Sequence, residues 1–494
     1  RDSFCGVIRL LPFQTMFQRH GIRVLICMLL GMGVLRAQPP SLPLQDPDGN
    51  ALSPPSESPW SEKASTPAED ASQDEDWITR LQQAEERIQQ LEEKKKGPAD
   101  GKEDKPKKKA WYEKLSFRGY TQVRINDVVD LAEGSFPAQL VGDSSVGDNQ
   151  SFIIRRARLI LSGDVHDHLS VYLQPDFAAS VPGSSDANQF VQIRDWYGDF
   201  FIDTTKVHRL RIGQSKVPYG WENLQSSSNR LALDRSDSIN SAVRNERDLG
   251  VFYYWTPEYA QDFFKDVLDL GLKGSGNYGV FGFGFYNGQG GSFREQNDNV
   301  HIVSRLTLPG SFANGQRYEF GMQGYTGKYV VLTSPIAPLG SGSAVTPFSP
   351  REGVLDQRLA WTAVYYPQPL GFQSEWTIGR GPALNDAQNA VEEQSLQGGY
   401  AQVMYEIKND WGTWFPFLKY NYYQGGYKSE RNAPWAEIDE WELGLEWQIN
   451  TAAELVTMYT LTDRTNTIAR SQANTLSYGQ FDGSLLRFQF QFNY

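Results

Sequence analysis

The chain has 494 residues, 13% of them aromatic, with a polar mean hydropathy of −0.51 and a formal net charge of −12. That charge argues against a nucleic-acid partner. Cys5 and Cys27 are the only cysteines, which excludes a disulfide framework and a thiolate zinc site.

Residues 1–37 read as a secretory signal with its upstream residues. Arg19, His20 and Arg23 form a basic start, VLICMLLGMGVL (24–35) an apolar core, and Leu35-Arg36-Ala37 an imperfect cleavage site. Met16 is a candidate start. The core is short for a bilayer span; a membrane anchor is the alternative. Cleavage after Ala37 would leave no cysteine, which suits an oxidising compartment.

Residues 38–76, rich in Pro, Ser, Asp and Glu, are expected to be disordered. In 77–96, Trp77, Leu81, Ala84, Ile88 and Leu91 fall at alternating steps of four and three, an a/d seam. It fits a short coiled coil that helps a larger body trimerise, and equally a solvated amphipathic helix. Residues 97–114 form a charged linker.

From Leu115 onward the period becomes two. Candidate strands are 115–126, 151–163, 168–177, 189–202, 207–214, 248–256, 278–287 and 300–308, then 316–328, 356–366, 371–380, 395–407, 413–424, 438–449, 452–463 and 484–494. Connections after odd strands are long and those after even strands mostly short. That is the arrangement of an outer-membrane barrel. DVLDLGLKGSG (266–276) would break the alternation as a strand and is assigned to an extended connection. Leu115, Phe117, Gly119, Thr121, Val123 and Ile125 form one lipid-facing set; Trp441, Leu443, Leu445, Trp447 and Ile449 form another. The last strand, ending FQFQFNY, must pair with LSFRGYTQVRIN, because in lipid only closure satisfies every backbone group. The expected fold is all-β, a sixteen-stranded antiparallel transmembrane barrel over 115–494. A soluble propeller would show a repeat of about 40 residues, and none is present.

The opposite faces should line the lumen. The first strand contributes Arg118, Tyr120, Gln122, Arg124 and Asn126. The second contributes Arg156, Arg158 and Ser162, leaving Arg155 as an outward blemish. The third contributes Ser170, Tyr172, Gln174 and Asp176, and the fifth Arg209 and Arg211. Arg305 and Arg358 follow. Later strands are acidic instead: Glu375, Glu406, Glu440, Glu442 and Glu446, with Lys419 the exception. Opposed arcs of charge would set a transverse field across a water-filled pore; alternatively the charges pair with one another. The loop after strand five is too long for a bare connector. Folded inward it would narrow the bore and bring Lys216, Arg230, Arg235, Arg244 and Arg247, with Ser226, Ser227 and Ser228 as neutral donors. Guanidinium groups there suit oxyanions.

IGQSKVPYGWE, the following DRS and then RDLG resemble the phosphate-selective porin O/P family of outer-membrane proteins. RRARLILSG and VYLQPDFA resemble that family's second and third strands. The likeness runs over 115–494 and is densest from 150 to 290. It implies a trimeric sixteen-stranded porin with an arginine ladder and a constricting third loop. The matching positions here are Arg156, Arg158, Asp176, Lys216, Arg235 and Arg247. The departure is charge, since acids outnumber bases from residue 115 onward.

An enzyme would need a nucleophile and base together, and no GxSxG, HExxH or phosphate-binding Gly loop occurs. His166 and His168 read as solvated turn residues. The expected function is therefore a passive, non-enzymatic porin without a cofactor. Small anions would be its solutes and outer-membrane lipid its surroundings. Its N-terminal extension would lie in the periplasm, within reach of the cell wall. A general diffusion porin and a structural barrel tethered to the cell wall are the alternatives.

Overall fold

The computed structural model describes residues 110–135, 140–143, 145–147, 152–178, 191–243, 247–291, 293–336, 343–465, 470–472 and 475–494. The expected signal, disordered segment and coiled coil lie outside the described residues, as do residues 97–109 of the linker and Arg244.

Sixteen strands close into one antiparallel sheet. The first eight are β1 (Leu115–Leu131), β2 (Phe152–His166), β3 (Leu169–Asp176), β4 (Gln192–Phe201), β5 (His208–Lys216), β6 (Arg247–Trp255), β7 (Phe281–Tyr286) and β8 (His301–Ser311). Next come β9 (Arg317–Tyr329), β10 (Val354–Tyr365), β11 (Leu370–Leu384) and β12 (Val391–Tyr405), the last resuming at Ile407–Asn409. The circuit ends with β13 (Gly412–Gly426), β14 (Trp435–Asn450), β15 (Ala453–Thr465) and β16 (Gln480–Asn493). Each expected span overlaps one of these strands. The alternation predicts them because a strand between lipid and lumen must change polarity at every residue.

β1 pairs with both β2 and β16, which closes the circuit. Along the seam Ile125 faces Phe488 and Thr121 faces Phe492. Gly119 and Tyr494 exchange backbone hydrogen bonds of 2.6 and 3.0 Å. The Tyr494 ring packs over Gly119, where an added Cβ would meet ring carbon Cε2 at 2.4 Å. Phe117, Phe488, Phe490, Phe492 and Tyr494 are exposed on the outer face. Such a surface suits lipid and would be a liability in water.

Two connections depart from plain linkers. The β5–β6 loop, called L3 below, turns inward through α1 (Trp221–Leu224) and α2 (Asp237–Asn240). Its apolar residues seat on inward apolar patches of the wall. Val217, Tyr219, Ile239 and Ala242 pack with Phe252, Val303, Tyr325 and Ala360. Leu231, Ala232 and Leu233 pack with Met404, Phe415, Phe417, Val456 and Met458. Each such aliphatic side chain contributes about 1.5–3 kcal/mol when fully buried.

The second departure corrects the reading of 266–276 as extended. Residues Glu258–Asp269 form a helix, α3. Ala260, Phe263, Phe264 and Val267 make its buried stripe, at the i, i+3, i+4, i+7 spacing of an amphipathic helix. The stripe packs on Trp221 of α1 and on Val364 and Tyr366 at the short-turn end of the barrel. Among the described residues no helix is long and apolar enough to cross a membrane; the strands do the crossing.

A third correction concerns Arg155. The β1–β2 register slips between Gln122 and Val123, a bulge that adds one residue on β2. Arg155 is buried rather than facing lipid, with Nε 3.1 Å from Asp143.

Candidate functional site

At its short-turn mouth the lumen has a filled side and an open side. Inward side chains of β8 to β16 lie under L3 and the α3 connector. Examples are Arg305, Glu375, Thr377, Lys419, Glu442, Glu446 and Arg487, each no more than 3% exposed. Near the short-turn end of β1 to β5, inward residues reach solvent instead. Ser116 and Arg118 are exposed, and Ser162, Ser170, Tyr172, Tyr197 and Arg209 are half-buried. Farther along the same strands the inward side chains are covered again: Gln122 and Arg124 are fully buried, and Arg156, Arg158, Asp176 and Arg211 nearly so.

L3 is bonded to the wall on several strands. Toward β1, Tyr120 Oη lies 2.8 Å from Ser227 Oγ, and Gln122 donates to the Ser227 carbonyl. Toward β10 and β11, Arg358 donates to the Ser241 hydroxyl and carbonyl, Tyr219 bonds Thr377, and the Trp221 N–H donates to Glu375. Toward β13 and β15, Lys419 pairs with Glu222 at 2.7 Å and Arg464 with Asp237 at 2.9 Å.

A second anchor gathers around Asp143, in the loop after β1. Arg124 Nη1 lies 2.5 Å from it and Arg487 Nη2 2.6 Å, and both guanidiniums also reach Asp234 of L3. Burial alone would raise the Asp143 carboxyl; Arg124, Arg155, Arg487 and a Ser145 hydrogen bond outweigh it and hold the group well below the usual carboxylate range. Asp234 is likewise held low, with Arg487 and Arg124 overcoming its burial.

This pairing changes the expected charge picture. The acidic residues of the later strands do not make an open wall opposite the arginines. Glu440 is bound by Arg464, Glu442 lies 3.8 Å from Lys419, and Glu446 is bound by Lys273 of the α3 connector. Glu375 accepts from Trp221 and Thr362. Glu406 sits where β12 is interrupted and pairs with Lys408. Buried carboxylates require such partners, and L3 and the connector supply several of them.

Many of the expected basic residues are also matched. Arg158 holds Asp176 at 2.7 Å, Arg211 makes two bonds to Asp199, Arg209 lies 3.6 Å from Asp199, and Arg247 holds Asp195 at 2.9 Å. Arg235 is bound by Asn223 and Asn240 within L3. The Lys216 ammonium donates to the carbonyls of Leu224 and Gln225. Arg305 is enclosed, with Nε and Nη1 lacking a hydrogen-bond partner.

Two guanidiniums, on β2 and on L3, differ from these. Arg156 donates to the Gln122 side-chain carbonyl at 2.8 Å, and Arg230 donates only to the carbonyls of Ala232 and Leu233. Among the described residues neither has a carboxylate partner. Both are nearly fully buried, Arg156 at 4% and Arg230 at 7% exposed, close to Ser226, Ser227 and Ser228, which are half-buried. Sequence reasoning missed Asp143, Asp234, Arg464 and Lys273, because each acts through a partner far along the chain.

The α3 connector is itself tied to L3. Gln225 and Asn229 of L3 donate to the carbonyls of Lys273 and Gly274. Glu446→Leu leaves the Lys273 charge buried without its partner and should destabilise by about 3–5 kcal/mol, while Lys273→Met with Glu446→Leu should be near neutral. The folded, heat-resistant band on SDS gels reads this order: the single variant melts out first and the double variant resembles the parent.

A profile of the family described as phosphate-selective porin O and P matches residues 135–334 and 346–494. No curated protein matches the sequence. Among solved structures, the outer membrane channel DcaP of Acinetobacter baumannii is similar at 11% identity and a TM-score of 0.46, over 77% of this chain and 97% of that one. An anion-selective porin from Comamonas acidovorans is similar at 11% and 0.46, over 77% and 99%. The trimer form of OmpT, an outer membrane protein of Vibrio cholerae, is similar at 11% and 0.44, over 77% and 99%. The sixteen-stranded barrel with its inward loop is an outer-membrane porin channel, and the chain belongs to the phosphate-selective porin O and P family.

Proposed function

We propose that the protein is a passive, anion-preferring porin whose filter is the throat between L3 and the β1–β2 wall. The observation that carries this reading is the pair Arg156 and Arg230, two guanidiniums where L3 approaches β2 that have no carboxylate partner among the described residues. Fixed positive charge there raises the local concentration of anions and lowers that of cations. Phosphate fits the same donors, since guanidinium and hydroxyl groups bind its oxygens. Transport needs no covalent chemistry. In this reading the assembly is a homotrimer and the N-terminal segment lies in the periplasm, in contact with the cell wall. Neutralised pairs such as Arg158–Asp176 and Arg247–Asp195 favour a second reading, a general diffusion porin with only weak preference.

Reversal potential across a planar bilayer under a KCl gradient separates them. The expected sign is that of chloride permeation exceeding potassium. Cation preference would overturn the proposal. Millimolar phosphate should reduce the chloride current; an unchanged current would leave a general anion pore without phosphate affinity.

A further inference from the structure

The open arc carries a feature that anion filtering does not use. Tyr172 on β3 and Tyr197 on β4 are cross-strand neighbours. Their rings stack with centroids 5.2 Å apart and planes 7° from parallel. Arg211 continues the row, its guanidinium carbon 3.8 Å from the Tyr197 centroid. One face of Tyr172 is therefore taken by Tyr197, and both faces of Tyr197 are taken.

In the other direction the row stops. The inward neighbour of Tyr172 on β2 is Ser162, and the next on β1 is Ser116. Both are small; Ser116 Oγ donates to the Ser162 carbonyl and lies 3.2 Å from its hydroxyl. Strands are spaced about 4.8 Å apart, so two serines in sequence leave a gap about one stacked ring deep beside the second face of Tyr172. Two residues along β1 stands Arg118, exposed to the lumen and without an ion-pair partner among the described residues. The gap thus offers an aromatic face, a floor of hydroxyls and an unneutralised guanidinium.

We propose that this gap, at the short-turn mouth of the barrel, is a binding subsite for anions that carry a flat ring, with aromatic carboxylates as the simplest class. The ring stacks on Tyr172 above Ser162, and the carboxylate meets Arg118. Offset stacking rewards a planar π-system over a puckered ring of similar size, and the guanidinium supplies a two-pronged partner for the carboxylate. An inorganic anion can use Arg118 but has nothing to place on the ring. The subsite deepens the anion-porin reading and rests on it for solute delivery, though not for binding.

Benzoate and cyclohexanecarboxylate are matched probes of charge and size. Block of chloride current by each is measured in planar bilayers, added to one side at a time, for the parent and for Tyr172→Ala, Ser162→Phe and Arg118→Gln. Benzoate should block at about five-fold lower concentration than the saturated acid, within the range of stacking preferences, and only from the short-turn side at low concentration. Tyr172→Ala should abolish the difference while leaving the reversal potential unchanged, and Ser162→Phe, which fills the gap, should do the same. Arg118→Gln should weaken both acids together. Saturation-transfer NMR on detergent-solubilised protein tests the site apart from conduction: benzoate ring protons should receive signal in the parent and lose it in Ser162→Phe. Equal block by the two acids, or undiminished transfer in Ser162→Phe, overturns the subsite. A cation-preferring reversal potential with ring-selective transfer intact would sink the anion-porin reading instead.

Discussion

Replacing Arg156 and Arg230 together by glutamate should turn the pore from the proposed anion preference to cation preference. A unit charge about 6 Å from a permeating ion is worth about 0.7 kcal/mol even at the dielectric of water. Reversing it changes the interaction by about 1.4 kcal/mol, a factor of about ten in occupancy for each ion of one sign. Two reversals act on anions and cations in opposite senses, so the permeability ratio should cross unity by a wide margin. Arg156→Gln or Arg230→Gln alone should move the reversal potential part of the way. Raising salt should shrink every difference, as the screening length falls below the throat's dimensions. The measurement is the zero-current potential at two KCl gradients. A double variant that keeps the parent's value would place the filter elsewhere in the lumen.

Asp143→Ala should be among the most damaging single changes outside the strands. The residue is fully buried and bridges Arg124, Arg155 and Arg487. Its loss leaves three guanidiniums with Asp234 as their main remaining counter-charge, and breaking buried pairs in this way costs about 3–5 kcal/mol. The folded band on SDS gels should convert at a lower temperature, and open-channel current should become noisier as L3 loses its hold on β1 and β16. Asp143→Asn, which keeps two hydrogen-bonding atoms, should fall between.

The same anchor gives a pH dependence. Both carboxylates are held below the ordinary aspartate range near 3.9. A group depressed in the folded state contributes stability that is full above its unfolded value and is lost as pH falls through the folded one. Conductance and heat resistance should therefore be flat from pH 7 to about pH 5 and decline only below about pH 4. A transition between pH 5 and 6 would show that other groups hold L3.

The barrel was legible because its solvent imposes a local rule. Between lipid and lumen each residue must differ from its neighbour, and WELGLEWQ or FQFQFNY obey that rule without reference to anything distant. What was not legible is what depends on pairing. Arg155 has the wrong parity until the bulge beside Gln122 is seen. Glu446 looks like a pore-lining carboxylate until Lys273, far away in sequence, is found beside it. Glu406 has inward parity, but the strand breaks at that residue. The α3 helix is a different case. Ala260, Phe263, Phe264 and Val267 have helical spacing in the sequence itself, and an expectation of period two concealed it. The resemblance carried by IGQSKVPYGWE pointed to the family; it could not show that most of the charges it brings are neutralised.

The bonding of L3 has a mechanical consequence. A thin cylindrical wall is softest toward being squeezed into an ellipse, and an empty barrel would breathe in that mode. Here ties run from the loop to β1, β10, β11, β13 and β15, like spokes set at several angles. Every direction of flattening stretches one set of spokes while compressing another. The cross-section beside L3 should therefore change less with bilayer thickness and lateral tension than that of an untied barrel.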